Sequence, residues 1–303
     1  MPTTPTLALA EAARTALEAA APSVVRIGRA PGRGCGIVVA DGQVLTNAHN
    51  LRDRTTEVTF ADGRALQGTV TAADPDGDLV VLAVDTGDAP ALPWASEVAG
   101  SGDVVFAVAR AGDGGDRVTF GMVSGVERSF RGPRGRQITG SLEHTAALAR
   151  GSSGSPVVDE RGHLLALNTA RLADGFYLAL PADASLRERV DALVRGESVA
   201  RLVLGVGLAP PEVGRQLRAS VGLPERAGLL VRAVEPGGPA ERAGVHLGDL
   251  ITHAAEEAVE SVDALHRALD AARAERHLSL RVRRGDEELE LAVSFDDVDD
   301  GEA

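Results

Sequence analysis

Antiparallel β barrels or a sandwich, followed by a smaller α+β unit, is the architecture this sequence predicts, and three observations carry it. Between Ser23 and Leu180, short β-branched runs recur between Gly and Asp turn residues, with no long helical pattern among them. After Pro181 the pattern changes, and helical periodicity alternates with strand-like runs as far as Val293. The composition is that of folded domains: 303 residues, 44% hydrophobic and 25% charged, enough for about two domains.

Taken in order, residues 1–22 read as an amphipathic helical segment. Leu7, Ala10, Ala13 and Leu17 share a helical stripe, and Pro22 follows its end. The segment has no basic n-region, so it is not read as a signal peptide, and the expected location is the cytoplasm. A periplasmic or other extracytoplasmic location is the alternative if the chain has lost an N-terminal leader. The first domain is placed at 23–195. Val24 to Ile27 opens it, and hairpins follow across Asp41-Gly42 and Asp62-Gly63. Leu79 to Val84 is a continuous apolar run, expected of a strand buried on both faces. Val104 to Val108 and Val118 to Val123 continue the pattern, and Val157-Val158 and Leu164 to Leu167 form a hairpin whose turn needs Gly162. Ala184 to Leu193 reads as helix, and Arg195 to Ser198 as linker.

The second domain is placed at 199–295. It is expected to hold a strand at Leu202–Val206, a helix at Glu212–Val221, a strand at Leu229–Val234 and a short helix at Pro239–Ala243. A strand near Leu250 comes next, then a helix from Ser261 with Val262, Leu265, Leu269 and Ala272 on one face. A hairpin across Arg284-Gly285-Asp286 closes it, and 296–303 is an acidic tail.

Charge and composition exclude several functions. A net charge of −13 makes nucleic acid and anionic membrane poor partners. No apolar run approaches the length of a membrane span. Seven histidines lie without metal-ligand spacing, so neither a metal nor another cofactor is expected. The single cysteine, Cys35, cannot form an internal disulfide and is read as a small buried thiol.

The chemistry centres on Gly151-Ser152-Ser153-Gly154-Ser155-Pro156. A serine on a Gly-rich bend can present its Oγ outward while backbone N–H groups converge on one point, as an oxyanion hole requires. A serine alcohol needs a base, and the base an orienting carboxylate. His49 closes the run Val44 to His49, and Asp78 stands directly before the buried strand, with Asp74 and Asp76 competing for the carboxylate role. The order His, Asp, Ser is that of the double-β-barrel serine proteases. An α/β-hydrolase elbow would need glycine at 155 and a later histidine.

With these motifs in place the sequence resembles the HtrA/Deg family, a chymotrypsin-like double antiparallel β-barrel protease domain followed by a PDZ domain. Thr46-Asn47-Ala48-His49, Asp78 to Leu82, Val118 to Ser124 and Gly151 to Pro156 match four family stretches in order. The resemblance implies a serine endopeptidase of protein quality control that cuts unfolded or extended polypeptides. It implies Ser153 as nucleophile, His49 as general base and acid, Asp78 as the orienting carboxylate, and the N–H groups of Gly151 and Ser153 as oxyanion hole. Ala147, six positions before the nucleophile, stands where a charged S1 floor would stand, and implies aliphatic P1 residues. Relatives form trimers, so a homotrimer is implied, although residues 1–22 carry no aromatics to build one.

The second domain resembles PDZ modules through Pro239 to Gly244 and Leu247-Gly248-Asp249-Leu250-Ile251. Leu204-Gly205-Val206 matches the carboxylate loop that captures a peptide C-terminus. The ligand is expected between this strand and the helix face of Val262, Leu265 and Leu269. Departures from the family pattern are Ser152, Ser155, Asn50 beside the histidine, and Ala254 to Glu257 where relatives carry an Asn-Gly turn. If position 155 demands a positive φ, its serine strains the loop. These departures motivate the alternative reading, a catalytically impaired peptide-binding scaffold or chaperone.

Overall fold

The computed structural model describes residues 5–29, 33–110, 115–132, 137–172, 175–198, 202–220, 222–224, 226–273 and 275–296. Asp297, Asp299, Asp300 and Glu302 of the acidic tail lie outside the described residues, as does Val221 of the expected helix. The chain divides into two compact units, Met1–Val199 and Ala200–Ala303.

The first unit holds two closed six-stranded antiparallel barrels. Strands β1 (Val24–Ile27), β2 (Gly34–Ala40), β3 (Gln43–Thr46), β4 (Thr55–Thr59), β5 (Ala65–Asp74) and β6 (Leu79–Ala83) close the first in the order β1-β2-β3-β6-β5-β4. Strands β7 (Val104–Ala109), β8 (Arg117–Arg131), β9 (Gln137–His144), β10 (Pro156–Val158), β11 (Leu164–Arg171) and β12 (Tyr177–Pro181) close the second as β10-β11-β12-β9-β8-β7. The β2–β3 and β4–β5 hairpins of the first barrel turn at the expected Asp-Gly pairs, and Gly162 takes φ 83° in the β10–β11 turn. Strand β9 is absent from the sequence reading, because its alternation is broken by Gly140 and it pairs with β8 through repeated register shifts.

One apolar cluster runs through both barrels. It joins Ile37, Leu45 and Leu79 of the first to Phe106, Val158, Leu164 and Leu167 of the second. Helix α1 (Pro5–Ala20) adds Ala16 and Ala20, and α2 (Ala184–Val194) adds Leu186, Val190 and Leu193. Leu7, on the expected apolar stripe of α1, remains exposed. Asp183 caps α2 by accepting the Leu186 N–H at 2.7 Å. Arg189 then reaches from α2 to Asp74 with Nε at 3.0 Å and Nη2 at 2.6 Å. That contact anchors the β5–β6 turn, and Asp74 also accepts the Gly77 N–H.

The second unit is a sheet ordered β13-β14-β15-β17-β18, formed by β13 (Val206–Leu208), β14 (Leu229–Val234), β15 (Leu250–Ala254), β17 (His277–Arg284) and β18 (Glu287–Ser294), with β16 (Glu257–Ala258) paired to β15. Helices α3 (Pro211–Ser220), α4 (Pro239–Arg242) and α5 (Val262–Ala271) complete it. The strand expected at Leu202–Val206 begins only at Val206. Gly205 turns the chain with φ 76°, while Leu202 and Leu204 bury in the core before the turn. Ser261 caps α5, whose Leu265, Ala268 and Leu269 enter that core. The Gly-Asp of the PDZ-like motif has a structural purpose. Asp249, fully buried, accepts Arg284 Nε and Nη2 at 2.9 Å each, and a second acceptor for Nη2 is the Gly244 carbonyl.

Ala255, in the tight turn between β15 and β16, takes φ 52°. An L residue with a Cβ pays about 1–2 kcal/mol there, and glycine pays only its chain entropy. Ala255→Gly should therefore stabilise the second unit by about 0.5–1 kcal/mol. The same change at Glu256, whose φ is not positive, should not. Thermal melts of both variants check this, and an equal or lower midpoint for Ala255→Gly sinks it.

Candidate active site

The sequence-predicted residues arrive at the seam between the barrels from three places. His49 lies on a single 3-10 turn, Ala48–Asn50, directly after β3. Asp78 precedes β6, and Ser153 lies on the loop from β9 to β10. The first two are brought into contact: His49 Nδ1 is 2.7 Å from Asp78 Oδ2, and the His49 backbone N–H donates to Oδ1 at 3.0 Å. A carboxylate only accepts, so Nδ1 carries the proton and Nε2 is left as acceptor.

Asp78 is 2% exposed, and its position is fixed from several sides. Its carbonyl accepts the Ala48 N–H and Asn47 Nδ2, both at 3.1 Å. It holds φ 56°, an unfavourable backbone for an aspartate that these bonds maintain. Thr169 Oγ1, on β11 of the second barrel, donates to Oδ2 at 2.9 Å. Sequence reading did not single out Thr169. Its only local signal is an Asn-Thr pair within an apolar strand, and its partner lies 91 residues away. Asp74 is engaged by Arg189 and is not near His49 through any hydrogen bond.

In the serine loop, Ser153 is part-exposed while Ser152 and Ser155 are buried. Ser153 Oγ donates to the Thr169 carbonyl at 3.3 Å. Ser152 Oγ has no hydrogen-bond partner among the described residues. Gly151 and Gly154 take φ 82° and 84°, whereas Ser155 keeps a negative φ. The strain anticipated at Ser155 is therefore absent. The position that excludes a side chain is Gly154, where a Cβ would overlap the Cys35 carbonyl. Ser155 Oγ instead accepts Asn168 Nδ2 at 3.1 Å.

Cys35 is the inner wall of this loop. Its N–H donates to the Ser153 carbonyl at 2.7 Å, and its Sγ lies 3.4 Å from the Gly151 carbonyl. Burial pushes its thiol up to about 11, so it packs as a neutral group. Ala147 is exposed on the loop after β9, its carbonyl accepting Thr119 Oγ1 at 2.7 Å, and its neighbour Ala146 is fully buried.

In the second unit, Leu204, Gly205, Val206, Val262, Leu265 and Leu269 border one groove of about 580 Å³. Glu235 and His266 line it too, and neither was singled out from sequence. Strand β13 is the edge of its sheet, with its outer side open to the groove. Leu265 and Leu269 belong to the core and to the groove wall at once.

Comparison with known proteins follows the same division. Residues 34–167 match the trypsin-like peptidase domain, and residues 203–295 match the PDZ domain. Putative serine protease HhoA from Synechocystis is 32% identical over 281 residues, covering 88% of this chain and 71% of that protein. The chain belongs to the HtrA family of serine proteases. Among other relatives, Protease Do-like 1, chloroplastic, from Arabidopsis thaliana is 30% identical, covering 88% of this chain and 64% of its own length. The chain thus spans about two thirds of these curated relatives. Among solved structures, the HtrA-type protease AlgW with a decapeptide superposes with a TM-score of 0.67 at 25% identity, covering 93% of this chain and 97% of AlgW. HtrA relatives include proteins named periplasmic and chloroplastic, and among the described residues no helix is long and apolar enough to cross a membrane.

Behind the loop, His144 is fully buried, with Nε2 2.8 Å from Asn168 Oδ1 and Nδ1 accepting the Ala146 N–H at 3.2 Å. Burial lowers its pKa, and the Asn168 bond only partly offsets this. As pH falls below about 6.5 the unfolded chain takes up this proton before the folded one does. Stability then falls with pH until the folded His144 titrates as well. His144→Gln should flatten the loss of thermal stability between about pH 6.5 and 5. An unchanged slope in that variant would remove His144 as its source.

Proposed function

We propose that the chain is a serine endopeptidase acting on unfolded or extended polypeptides, with a PDZ unit that binds peptide C-termini. The observation that carries this is the His49–Asp78 contact of 2.7 Å, linked through Thr169, whose hydroxyl donates to Asp78 and whose carbonyl accepts Ser153 Oγ, to a part-exposed serine on a Gly-rich loop. Asp78 fixes the imidazole tautomer, so His49 Nε2 is ready to accept the Ser153 proton. The Ser153 hydroxyl swings from the Thr169 carbonyl toward Nε2 and attacks the scissile carbonyl carbon, as catalytic bonds loose in a free enzyme tighten on binding. The N–H groups of Gly151 and Ser153 receive the oxyanion, His49 passes the proton to the leaving amine, and water hydrolyses the acyl-enzyme by the reverse roles. Ala147 brings no charge to the substrate side, which fits aliphatic P1 residues.

In the PDZ unit the open edge of β13 suits an added peptide strand, and the turn at Gly205 offers backbone N–H groups to a terminal carboxylate. The decapeptide on AlgW supports peptide binding in this architecture.

Two experiments test the reading. Wild-type protein should label with a fluorophosphonate and cleave casein. Ser153→Ala should lose both activities, and Ser152→Ala and Ser155→Gly should keep them. Asp78→Asn should fold and lower kcat on the order of 10⁴-fold through the wrong tautomer. No labelling of the wild type would favour the impaired scaffold, and loss in Ser152→Ala alone would move the nucleophile.

For the groove, calorimetry should show peptides with a free apolar C-terminus binding, and amidation weakening them by about 1.5–3 kcal/mol. Equal affinity for acid and amide would remove the carboxylate site.

A further inference from the structure

Asn50 is buried, 1% exposed, and directly follows His49 on the same 3-10 turn. Its Nδ2 reaches across the seam to the Ser153 carbonyl at 2.9 Å, and also donates to Thr46 Oγ1 at 2.9 Å. The Cys35 carbonyl lies 3.5 Å from the same nitrogen. These acceptors fix which amide atom faces them, and leave Oδ1 buried without a partner among the described residues. A valine or leucine would fill the same space without stranding an oxygen. Keeping an amide here is costly unless its donor is used.

The bond it makes is placed where it affects the nucleophile. The peptide between Ser153 and Gly154 is held at both ends. Its N–H donates to the Asn168 carbonyl at 2.7 Å in the second barrel, and its carbonyl accepts Asn50 and the Cys35 N–H from the first. Asn50 therefore connects the backbone bearing the base to the backbone bearing the serine through one side chain. Space for the amide comes from Gly34 on β2, where any Cβ would overlap it.

We propose that Asn50 is a positioning residue: its amide locks the peptide after Ser153 so that the freed hydroxyl meets His49 Nε2 at reacting distance. The proposal rests on the proteolytic reading above. Misplacement of reacting groups by about 1 Å costs about 10²-fold in rate, which sets the expected scale.

The test uses the full chain. Asn50→Leu should fold, with a native circular dichroism spectrum, and lower both kcat on a peptide and the rate of fluorophosphonate acylation by about 10–100-fold. KM should change by less than about threefold, because the substrate-binding surface is untouched. Gly34→Ala should reproduce the loss by displacing the amide. Combining Gly34→Ala with Asn50→Ala should be no worse than Asn50→Ala alone, since the group it displaces is gone. If Asn50→Leu does not fold, Asn50→Ser, too short to reach the Ser153 carbonyl, is read in the same way. Acylation within about twofold of wild type in a folded Asn50 variant overturns the proposal, as do additive losses in the Gly34 and Asn50 pair. A wild-type protein inert to the probe while Asn50 variants fold normally overturns the proteolytic reading, and this inference with it.

Discussion

The buried carboxylate of Asp78 is the constraint from which the rest of the site follows. It accepts the His49 backbone N–H, the His49 ring and the Thr169 hydroxyl. The first two come from one barrel and the third from the other. A buried carboxylate that lost any of these donors would carry an unpaid desolvation cost, so the electrostatics of one side chain and the docking of two barrels are the same requirement. The positive φ at Asp78 and the Asp74–Arg189 contact beneath the same turn are then intelligible. The Arg189 contact and the Ala48 and Asn47 bonds to the Asp78 carbonyl hold that otherwise unfavourable backbone where the carboxylate must stand.

Much of this was legible in the sequence because it is local. His49, Asp78 and Ser153 each sit in a short motif with a characteristic turn or strand beside it, and the hairpins declared themselves through Asp-Gly pairs. What was not legible is what depends on contacts between distant segments. Thr169 meets Asp78 from 91 positions away, and Asn50 meets Ser153 from 103. Ser155 looked like a strained replacement for glycine when judged as a loop residue. Its actual partner is Asn168, and the backbone demand falls one residue earlier, on Gly154. The same limit explains the second unit. Leu202 to Val206 has strand composition, but the turn at Gly205 and burial of Leu204 against the core decide the backbone instead.

In the second unit one set of side chains belongs to the core and to a groove wall together. Leu265 and Leu269 are nearly buried and pack with Leu204, Leu229 and Val231, while their remaining surface borders the groove. Side chains held by core packing fix the shape of that groove wall. Glu235 and His266 add polar side chains to the lining of the same groove.

A seam that carries chemistry must also resist opening, and the polar contacts across it show how that is arranged. Arg110, at the end of the β7 segment, is 5% exposed, donates through Nε to the Val24 carbonyl at 3.2 Å and pairs with Asp116. It therefore ties the first strand of one barrel to the second barrel at a point separate from the active site. The Cys35 and Asn50 contacts to the serine loop do the same at the Ser153 carbonyl. Apolar packing through Leu45, Leu79, Phe106 and Leu164 supplies adhesion without direction. The directional bonds select one register of barrel on barrel, and that register sets Thr169 between Asp78, which accepts its hydroxyl, and Ser153, whose Oγ donates to its carbonyl.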